Sequence, residues 1–125
     1  MRYTAKLESL TVSIRREVIN NFHIHLYYNK ETILIAKDLA KQVQDSFSVR
    51  IGTFHERNVG PHPRWSVQLS VPNELFGDVL SFVTMNRNGL TIFSHPDTGN
   101  DLIDHTERAI WMGEILELKT DIFKE

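Results

Sequence analysis

The sequence predicts an α+β protein with the ferredoxin-like element order β-α-β-β-α-β, in which both helices pack on one face of an antiparallel sheet. Apolar residues recur at every second position in the segments 20–27, 65–71 and 90–95, which is the period of a strand. In the longer segments 31–47 and 73–83 they recur at intervals of three and four, as in amphipathic helices. The alternation of these two periods along the chain gives the fold class.

Length and composition limit the classes of function. A chain of 125 residues suits one domain over 1–125, and we expect an N-terminal arm at 1–18 and a C-terminal tail at 114–125. The net charge is -2 and no cluster of Lys and Arg alternates with aromatic residues, so we expect no nucleic-acid partner. The lack of cysteine excludes disulfides and thiolate chemistry. No apolar run approaches the length of a bilayer span, and we expect a cytoplasmic protein without a membrane partner.

The first strand, which starts at Asn20, has two chemically different faces. The face directed at the core consists of Phe22, Ile24 and Leu26. The other face carries His23, His25 and Tyr27. Two histidines at positions i and i+2 of a strand lie on the same side, where they can converge on one ion or one substrate. The alternative is a polar lining on the wetter side of the sheet.

An amphipathic helix is predicted from Glu31 to Phe47, followed by a short β-like run from Val49 to Phe54. The apolar stripe of the helix comprises Ile33, Leu34, Ala36, Leu39, Ala40, Val43 and Phe47. The next residues, 55–63 with the sequence HERNVGPHP, are neither helix nor regular strand, because each proline lacks an N–H and fixes φ. His62 therefore lies on a stiffened loop, which suits a metal ligand or an acid/base group; a proline-braced turn with an exposed histidine is the alternative.

The second half of the chain repeats the pattern of strand and helix. From Trp65 to Val71 the apolar residues alternate with a polar set that includes Gln68, as in the third element of an antiparallel hairpin. A second helix opens at residues 72–74 with Asn73 as its N-cap, and residues 88–89 (Asn-Gly) end it.

The fourth strand ends at His95 and is followed by an acidic turn at 96–101. A last short helix is predicted from Asp104 to Met112, carrying His105. The tail beyond Glu114 is expected either to add an edge strand or to fray.

The predicted topology brings distant histidines together. In this fold we expect the first and third strands to lie parallel in the centre of the sheet, with the fourth strand antiparallel beside the first. The loop that holds His62, the end of the fourth strand with His95, and the start of the first strand with His23 and His25 then meet at one edge. Such a convergence of imidazoles predicts a metal site.

Imidazole and carboxylate ligands without thiolate fit zinc, non-haem iron or manganese, and a three-ligand site with open positions is catalytic in type. A face of two histidines and one carboxylate would bind iron(II) and leave room for a chelating substrate and dioxygen. Candidate carboxylates are Glu56, Asp97 and Asp101, each of which is alternatively a solvated turn residue. A further histidine would be the acid/base group. A zinc-dependent hydrolase or isomerase, and a non-enzymatic ligand-binding module that dimerises through its open sheet face, are the alternatives.

Ordered motifs over residues 20–113 resemble the DOPA 4,5-dioxygenase family of aromatic-ring extradiol dioxygenases. The motifs are HIHLY at 23–27, HERNVGPHP at 55–63 followed by Trp65, NGLTIFSHPDTGN at 88–100, and DHT at 104–106. The resemblance implies a ferredoxin-like fold and an iron(II)-dependent cleavage of a catechol ring by O2, with a small, DOPA-like aromatic diol as substrate. It marks as functional histidines His23, His25, His55, His62 and His95, with His105 as a further candidate.

Each candidate residue receives a predicted role. The predicted metal ligands are His25, His62 and His95, and the predicted catalytic residues are His55 and His23. His55 is the first choice as proton acceptor, while His23 is either the acid/base group or a further ligand. The predicted substrate-binding residues are Tyr27, Gln68 and Trp65. The expected cofactor is Fe(II), with another divalent metal such as zinc as the alternative occupant of the site, and a homodimer is left open.

Overall fold

The computed structural model describes residues 18–123, so the predicted arm at 1–18 lies, except for its last residue, outside the described residues. The strands are β1 (Asn21–Tyr28), β2 (Arg50–Ile51), β3 (Trp65–Val71), β4 (Thr91–Asp97) and β5 (Ile110–Met112). The α-helices are α1 (Ile33–Ser46), α2 (Phe76–Asn86) and α3 (Asp101–His105), and 3-10 turns occupy Asn73–Leu75 and Thr120–Phe123.

The strands form one sheet in the order β2-β3-β1-β4-β5, and every neighbouring pair is antiparallel. The α+β class and the ferredoxin-like order are therefore confirmed. β1 and β3 are central neighbours as predicted, but the prediction that they run parallel is wrong. The helix α1 connects β1 to β2, and these two strands run in the same direction. Because β2 and β3 are an antiparallel pair, β3 must run opposite to β1.

One face of the sheet and the two long helices enclose the hydrophobic core. Ile24 and Leu26 of β1 are fully buried there, as the alternation in the sequence predicts. The other fully buried members from the strands and helices are Ala36, Val43, Val67, Leu69, Val71, Val79, Val83 and Ile92. Burying each large aliphatic side chain of this set contributes about 2 kcal/mol to the free energy of folding. The histidine face of the sheet therefore points away from both long helices.

The predicted boundaries of α2 need one correction. Asn73 is not an N-cap, because its side-chain amide donates to the carbonyl oxygen of Ile19 at 2.6 Å and the residue opens a 3-10 turn instead. The stop after α2 is confirmed: Asn88 and Gly89 have positive φ angles of 49° and 85°, which end a helix and favour Asn and Gly.

The segment from Asp104 to Met112 is not the single helix that the sequence predicts. α3 begins earlier, at Asp101, where the Asn100 side chain accepts a hydrogen bond from the Ile103 N–H. Residues 110–112 instead form β5 along the free edge of β4, with Trp111 opposite Phe93. The hydrogen bonds between β5 and β4 form only once the sheet has assembled, so the local sequence pattern does not reveal this strand. The edge strand thus precedes the predicted tail.

β4 also extends two residues past its predicted end, through Pro96 to Asp97. None of the helices between residues 18 and 123 has the length and hydrophobicity that a bilayer span requires.

Candidate metal centre

Three histidines from two neighbouring strands form one group on the face of the sheet that the long helices leave open. His23 and His25 lie on β1, and His95 lies on β4 directly opposite His23. One ring nitrogen from each of these residues lies within 4.8 Å of the others. His25 and His95 are 3% and 2% exposed, whereas His23 is partly exposed. The predicted convergence of β1 and the end of β4 is therefore present in the structure.

His25 and His95 have the spacing of two ligands of one ion. Their Nε2 atoms are 3.1 Å apart. Two nitrogens at metal–nitrogen distances of about 2.0–2.1 Å lie roughly 3.0–3.4 Å from each other when they occupy adjacent coordination positions. His95 Nδ1 lies 2.7 Å from the Pro96 carbonyl oxygen, which can only accept a hydrogen bond. The Nδ1 atom of His95 therefore carries the proton and Nε2 keeps its lone pair, as a metal ligand requires.

The electrostatic environment keeps these imidazoles neutral. Burial lowers the pKa of His25 well below its usual value, and the neighbouring His62 and His95 lower it further. Burial, together with the nearby His105, lowers the pKa of His95 to about 3. The pKa of His23 is lowered by burial and partly restored by Asp97. Neutral imidazole is the form that binds metal, so the group fits a divalent cation without first losing protons at neutral pH.

The loop at 55–63 brings His62 to the same face. The His62 ring centroid lies 4.3 Å from that of His25, and its Nδ1 atom lies 2.6 Å from the Tyr27 hydroxyl oxygen. Burial, with contributions from the nearby His105 and His55, lowers the pKa of His62 to about 4. His62 thus joins the cluster, although it is not among the three histidines whose ring nitrogens lie within 4.8 Å of one another.

His105 flanks the group on the other side. Its ring centroid lies 4.0 Å from that of His95 and 4.5 Å from that of Phe123. Its Nδ1 atom lies 2.7 Å from the carbonyl oxygen of Asp101, one helical turn earlier. Because that carbonyl can only accept, Nδ1 carries the proton. His105 is therefore protonated at Nδ1, as His95 is.

Asp104 is a buried positioning carboxylate that the sequence analysis missed. Only 1% of the residue is exposed, and it accepts hydrogen bonds from the backbone N–H and the hydroxyl of Thr98 and from Arg108. Burial raises its pKa, but these hydrogen bonds outweigh burial and the net pKa is lowered. The carboxylate joins the end of β4 to α3. Asn100, followed by Asp101 and Asp104 in the first turn of the helix, is the N-cap signal that could have placed α3 correctly.

Two predicted site residues do not belong to the three-histidine group. His55 donates its backbone N–H to the Ser66 carbonyl oxygen and accepts from the Tyr28 hydroxyl through its own carbonyl. Between residues 18 and 123 its ring makes no aromatic contact with the other five histidines. Trp65 lies opposite Tyr28 on the core face of the sheet, where the two rings pack edge to face. Their functional roles stay predictions.

The remaining predicted residues are near the group. Gln68 lies opposite His25 on the histidine face, and its amide donates to the Ser70 hydroxyl. Asp97 and Asp101 are close enough to His23 to raise its pKa. Glu56 is exposed, and its charge raises the pKa of Tyr28 instead. No carboxylate belongs to the three-residue group found among the described residues.

A cleft of about 850 Å³ lies at the opposite end of β1 from His23. Tyr27, Arg64, Trp65 and Glu114 line it, and an ion pair of 2.8 Å joins Arg64 to Glu114. None of the three grouped histidines lines this cleft. The contact between Tyr27 and His62 therefore lies between the cleft and the histidine group.

Comparison with known proteins gives a consistent result. The chain is 34% identical to a DOPA 4,5-dioxygenase of Amanita muscaria over 76% of its own length and 46% of the relative's, so it spans less than half of that protein. It is 35% identical to an uncharacterized 21.2 kDa protein of Botryotinia fuckeliana, over 94% of this chain and 70% of the relative. A crystal structure of a Nostoc punctiforme protein described as a candidate dioxygenase superposes with a TM-score of 0.79 at 31% identity, covering 81% of this chain and 88% of the other.

The family comparison covers the whole histidine group. The model of the Dopa 4,5-dioxygenase family matches residues 22–122, a range that includes β1, the loop at 55–63, β4 and α3. The match therefore extends over the fold and over each element that positions a histidine. This chain belongs to the Dopa 4,5-dioxygenase family.

Proposed function

We propose that the protein is an iron(II)-dependent extradiol dioxygenase that opens the ring of a small catechol-type diol with O2. The observation that carries the proposal is the group of His23, His25 and His95, whose ring nitrogens lie within 4.8 Å of one another. Membership of a dioxygenase family supports the reaction class, and the name of the Amanita muscaria relative supports a DOPA-like diol.

The donor set suits the metal. In this proposal His25 and His95 are ligands, as the sequence predicts, and His23 is the third, which was one of its two predicted roles. Three imidazole ligands leave coordination positions open, which is the arrangement of a catalytic site. When bound, the iron would supply the chelation of the diol and the activation of O2. His62 was also predicted to be a ligand, and only its Nε2 atom is available for that role, because Nδ1 contacts Tyr27.

The residues around the group would bind and deprotonate the diol. A catechol must lose at least one proton to chelate a metal, and a neutral histidine at the site can accept it. His55 and His23 were the predicted acceptors; because this proposal makes His23 a metal ligand, His55 stays the predicted acceptor. Gln68 on the same face is a proposed hydrogen-bonding partner of the diol. Trp65 and Tyr27 border the cleft and stay predicted substrate contacts.

A zinc-dependent hydrolase or isomerase is the second candidate, because three neutral imidazoles are also a zinc donor set. The two are separated by reconstituting the metal-free protein with Fe(II) or with Zn(II) under anaerobic conditions, adding DOPA or catechol, and admitting air. A yellow ring-opened product with one O2 consumed per diol, in the iron sample alone, is the expected result. Neither product nor oxygen uptake with iron would overturn the dioxygenase proposal.

The same assay on His95→Ala provides a matched control, because free iron in solution also oxidises catechols. Turnover by this variant at the rate of the unaltered protein would mean that the histidine group is not the site. The homodimer and the cytoplasmic location stay predictions.

A further inference from the structure

The contact between Tyr27 and His62 determines which nitrogen of His62 carries its proton. The Tyr27 hydroxyl oxygen lies 2.6 Å from His62 Nδ1, and the two residues are 2% and 6% exposed. Two arrangements fit this distance. Either the hydroxyl donates to Nδ1, or Nδ1–H donates to the hydroxyl oxygen.

Hydrogen-bond satisfaction distinguishes the two arrangements. Between residues 18 and 123, His62 Nδ1 is the one hydrogen-bond partner that the Tyr27 hydroxyl has. If Nδ1 carried the proton, the phenolic proton would be buried without an acceptor, at a cost of roughly 1–3 kcal/mol. If the hydroxyl donates instead, both groups are satisfied.

A neutral histidine that accepts at Nδ1 carries its proton on Nε2. A metal ligand needs a lone pair, so an Nε2–H nitrogen is a hydrogen-bond donor and not a ligand. We propose that Tyr27 is a positioning residue that fixes His62 in the Nε2–H tautomer, and that His62 donates a hydrogen bond to an anionic oxygen of the diol instead of binding the metal. The part that concerns the diol rests on the proposed function.

The comparison with His95 strengthens this inference. Both rings lie beside His25, with centroid distances of 4.3 Å for His62 and 5.2 Å for His95. A backbone carbonyl is the partner of His95 Nδ1 and makes that nitrogen the donor, whereas a phenol is the partner of His62 Nδ1 and makes it the acceptor. The two neighbours of His25 are therefore held in opposite tautomers, one suited to bind metal and one to donate.

The loop around His62 is held in place from both sides, which a positioned donor requires. Pro61 and Pro63 flank the residue and restrict its backbone. The carbonyl oxygen of Pro61 accepts a hydrogen bond of 2.8 Å from the Lys119 N–H, which joins the loop to the segment after β5. His62 therefore loses little freedom when a substrate oxygen binds.

The tautomer can be read without turnover. Long-range ¹H–¹⁵N spectra of the ¹⁵N-labelled protein, metal-free and loaded with diamagnetic Zn(II), identify the protonated nitrogen of each histidine. We expect His62 as Nε2–H in both samples and zinc-induced shifts at His25 and His95. An Nδ1–H tautomer of His62, or zinc bound at its Nε2, would overturn the inference. Because these spectra need no substrate, they also decide the tautomer if the dioxygenase proposal fails.

Tyr27→Phe tests the positioning role, and Tyr28→Phe is its matched control. Both tyrosines are buried on β1, but Tyr28 points to the core face and donates to the carbonyl oxygens of His55 and Ser66. In Tyr27→Phe we expect the tautomer of His62 to become mixed, the zinc affinity to change less than about threefold, and diol turnover to fall on the order of 10- to 100-fold. In Tyr28→Phe the His62 signals should not change. An unchanged His62 tautomer in Tyr27→Phe, or a loss of zinc, would contradict the assignment.

Discussion

The Nε2 atoms of His25 and His95 lie 3.1 Å apart, although 70 positions separate the two residues in the chain. They are diagonal neighbours across the β1–β4 pair, where His25 is directly opposite Phe93 and His95 is directly opposite His23. The ring of Phe93 stacks on that of His25, and His95 Nδ1–H donates to the Pro96 carbonyl oxygen, so both imidazoles are restricted. Two lone pairs at this distance repel each other unless a proton or a cation lies between them, so the two nitrogens can share either a proton or a metal ion.

Replacing His95 by alanine should weaken Zn(II) or Fe(II) binding by at least about 100-fold. Removing a residue that only hydrogen-bonds to a metal ligand already lowers metal affinity about 10- to 100-fold. Removing a ligand itself lowers the affinity further. Equilibrium dialysis with metal analysis measures the change. His55→Ala is the control that should retain metal, because its ring makes no contact with the three-histidine group between residues 18 and 123. Equal retention by both variants would move the site elsewhere.

His62→Ala should abolish diol turnover while the fold and the bound metal are retained. The residue lies on a loop and contributes a hydrogen bond and ring contacts, not part of the main core cluster. Circular dichroism checks the fold, metal analysis the occupancy, and oxygen uptake the turnover. Loss of metal in this variant would support the original prediction that His62 is a ligand. A much lower Tm with turnover preserved would make it a structural residue.

The metal-free protein should lose stability as the pH falls from about 6.5 to about 4. Burial lowers the pKa of His95 to about 3 and that of His62 to about 4, while the unfolded chain has histidine pKa values near 6.5. Below pH 6.5 the unfolded state therefore binds more protons than the folded state, so the free energy of unfolding rises with pH through this window. Each histidine with a lowered pKa changes the free energy of unfolding by at most about 1.4 kcal/mol per pH unit.

Urea titrations at pH 7, 6 and 5 measure this dependence. His95→Asn should reduce the slope, since one depressed histidine is removed. A free energy of unfolding that does not change with pH over this range would mean that the buried imidazoles take up protons in the folded state.

Asp104→Asn should lower the free energy of unfolding by roughly 2–4 kcal/mol, because Arg108 then loses its buried carboxylate partner. The effect should extend to the site, since Asp104 joins the residue Thr98 after β4 to the helix that carries His105. Thermal unfolding and zinc affinity are the two measurements. The control is Asp45→Asn, which removes an exposed ion pair with Lys41 and should cost less than about 0.5 kcal/mol. Similar costs for both substitutions would contradict the positioning role.

The proton acceptor is identified by comparing His55→Gln with His23→Gln. Glutamine keeps a hydrogen-bond donor but cannot take up the proton of the diol near neutral pH. If His55 is the acceptor, its variant should bind iron normally and lose the rise of activity with pH through the neutral range. If His23 is a ligand, its variant should lose iron. If the activity of His55→Gln still rises with pH as in the unaltered protein, His55 is not the proton acceptor.

The sequence by itself determined which strand residues face the core and which face the open side of the sheet. Alternation along β1 separates Ile24 and Leu26 from His23 and His25. Ile24 and Leu26 belong to the hydrophobic core cluster and the two histidines do not, because successive side chains of a strand point to opposite faces. The helices and the confirmed order of elements follow equally from local periodicity. The proline-braced loop was also recognisable, because proline restricts φ independently of tertiary contacts.

Only the tertiary structure decided how these residues meet. The antiparallel direction of β3, the pairing of β5 with β4, and the register that sets His25 diagonal to His95 depend on hydrogen bonds between distant segments. The fold also packs the partly buried Trp65 against the core face and keeps the His55 ring out of aromatic contact with the other histidines. The contact with Tyr27, 35 positions away in the chain, decides which ring nitrogen of His62 is free. Such a contact has no signature in local spacing.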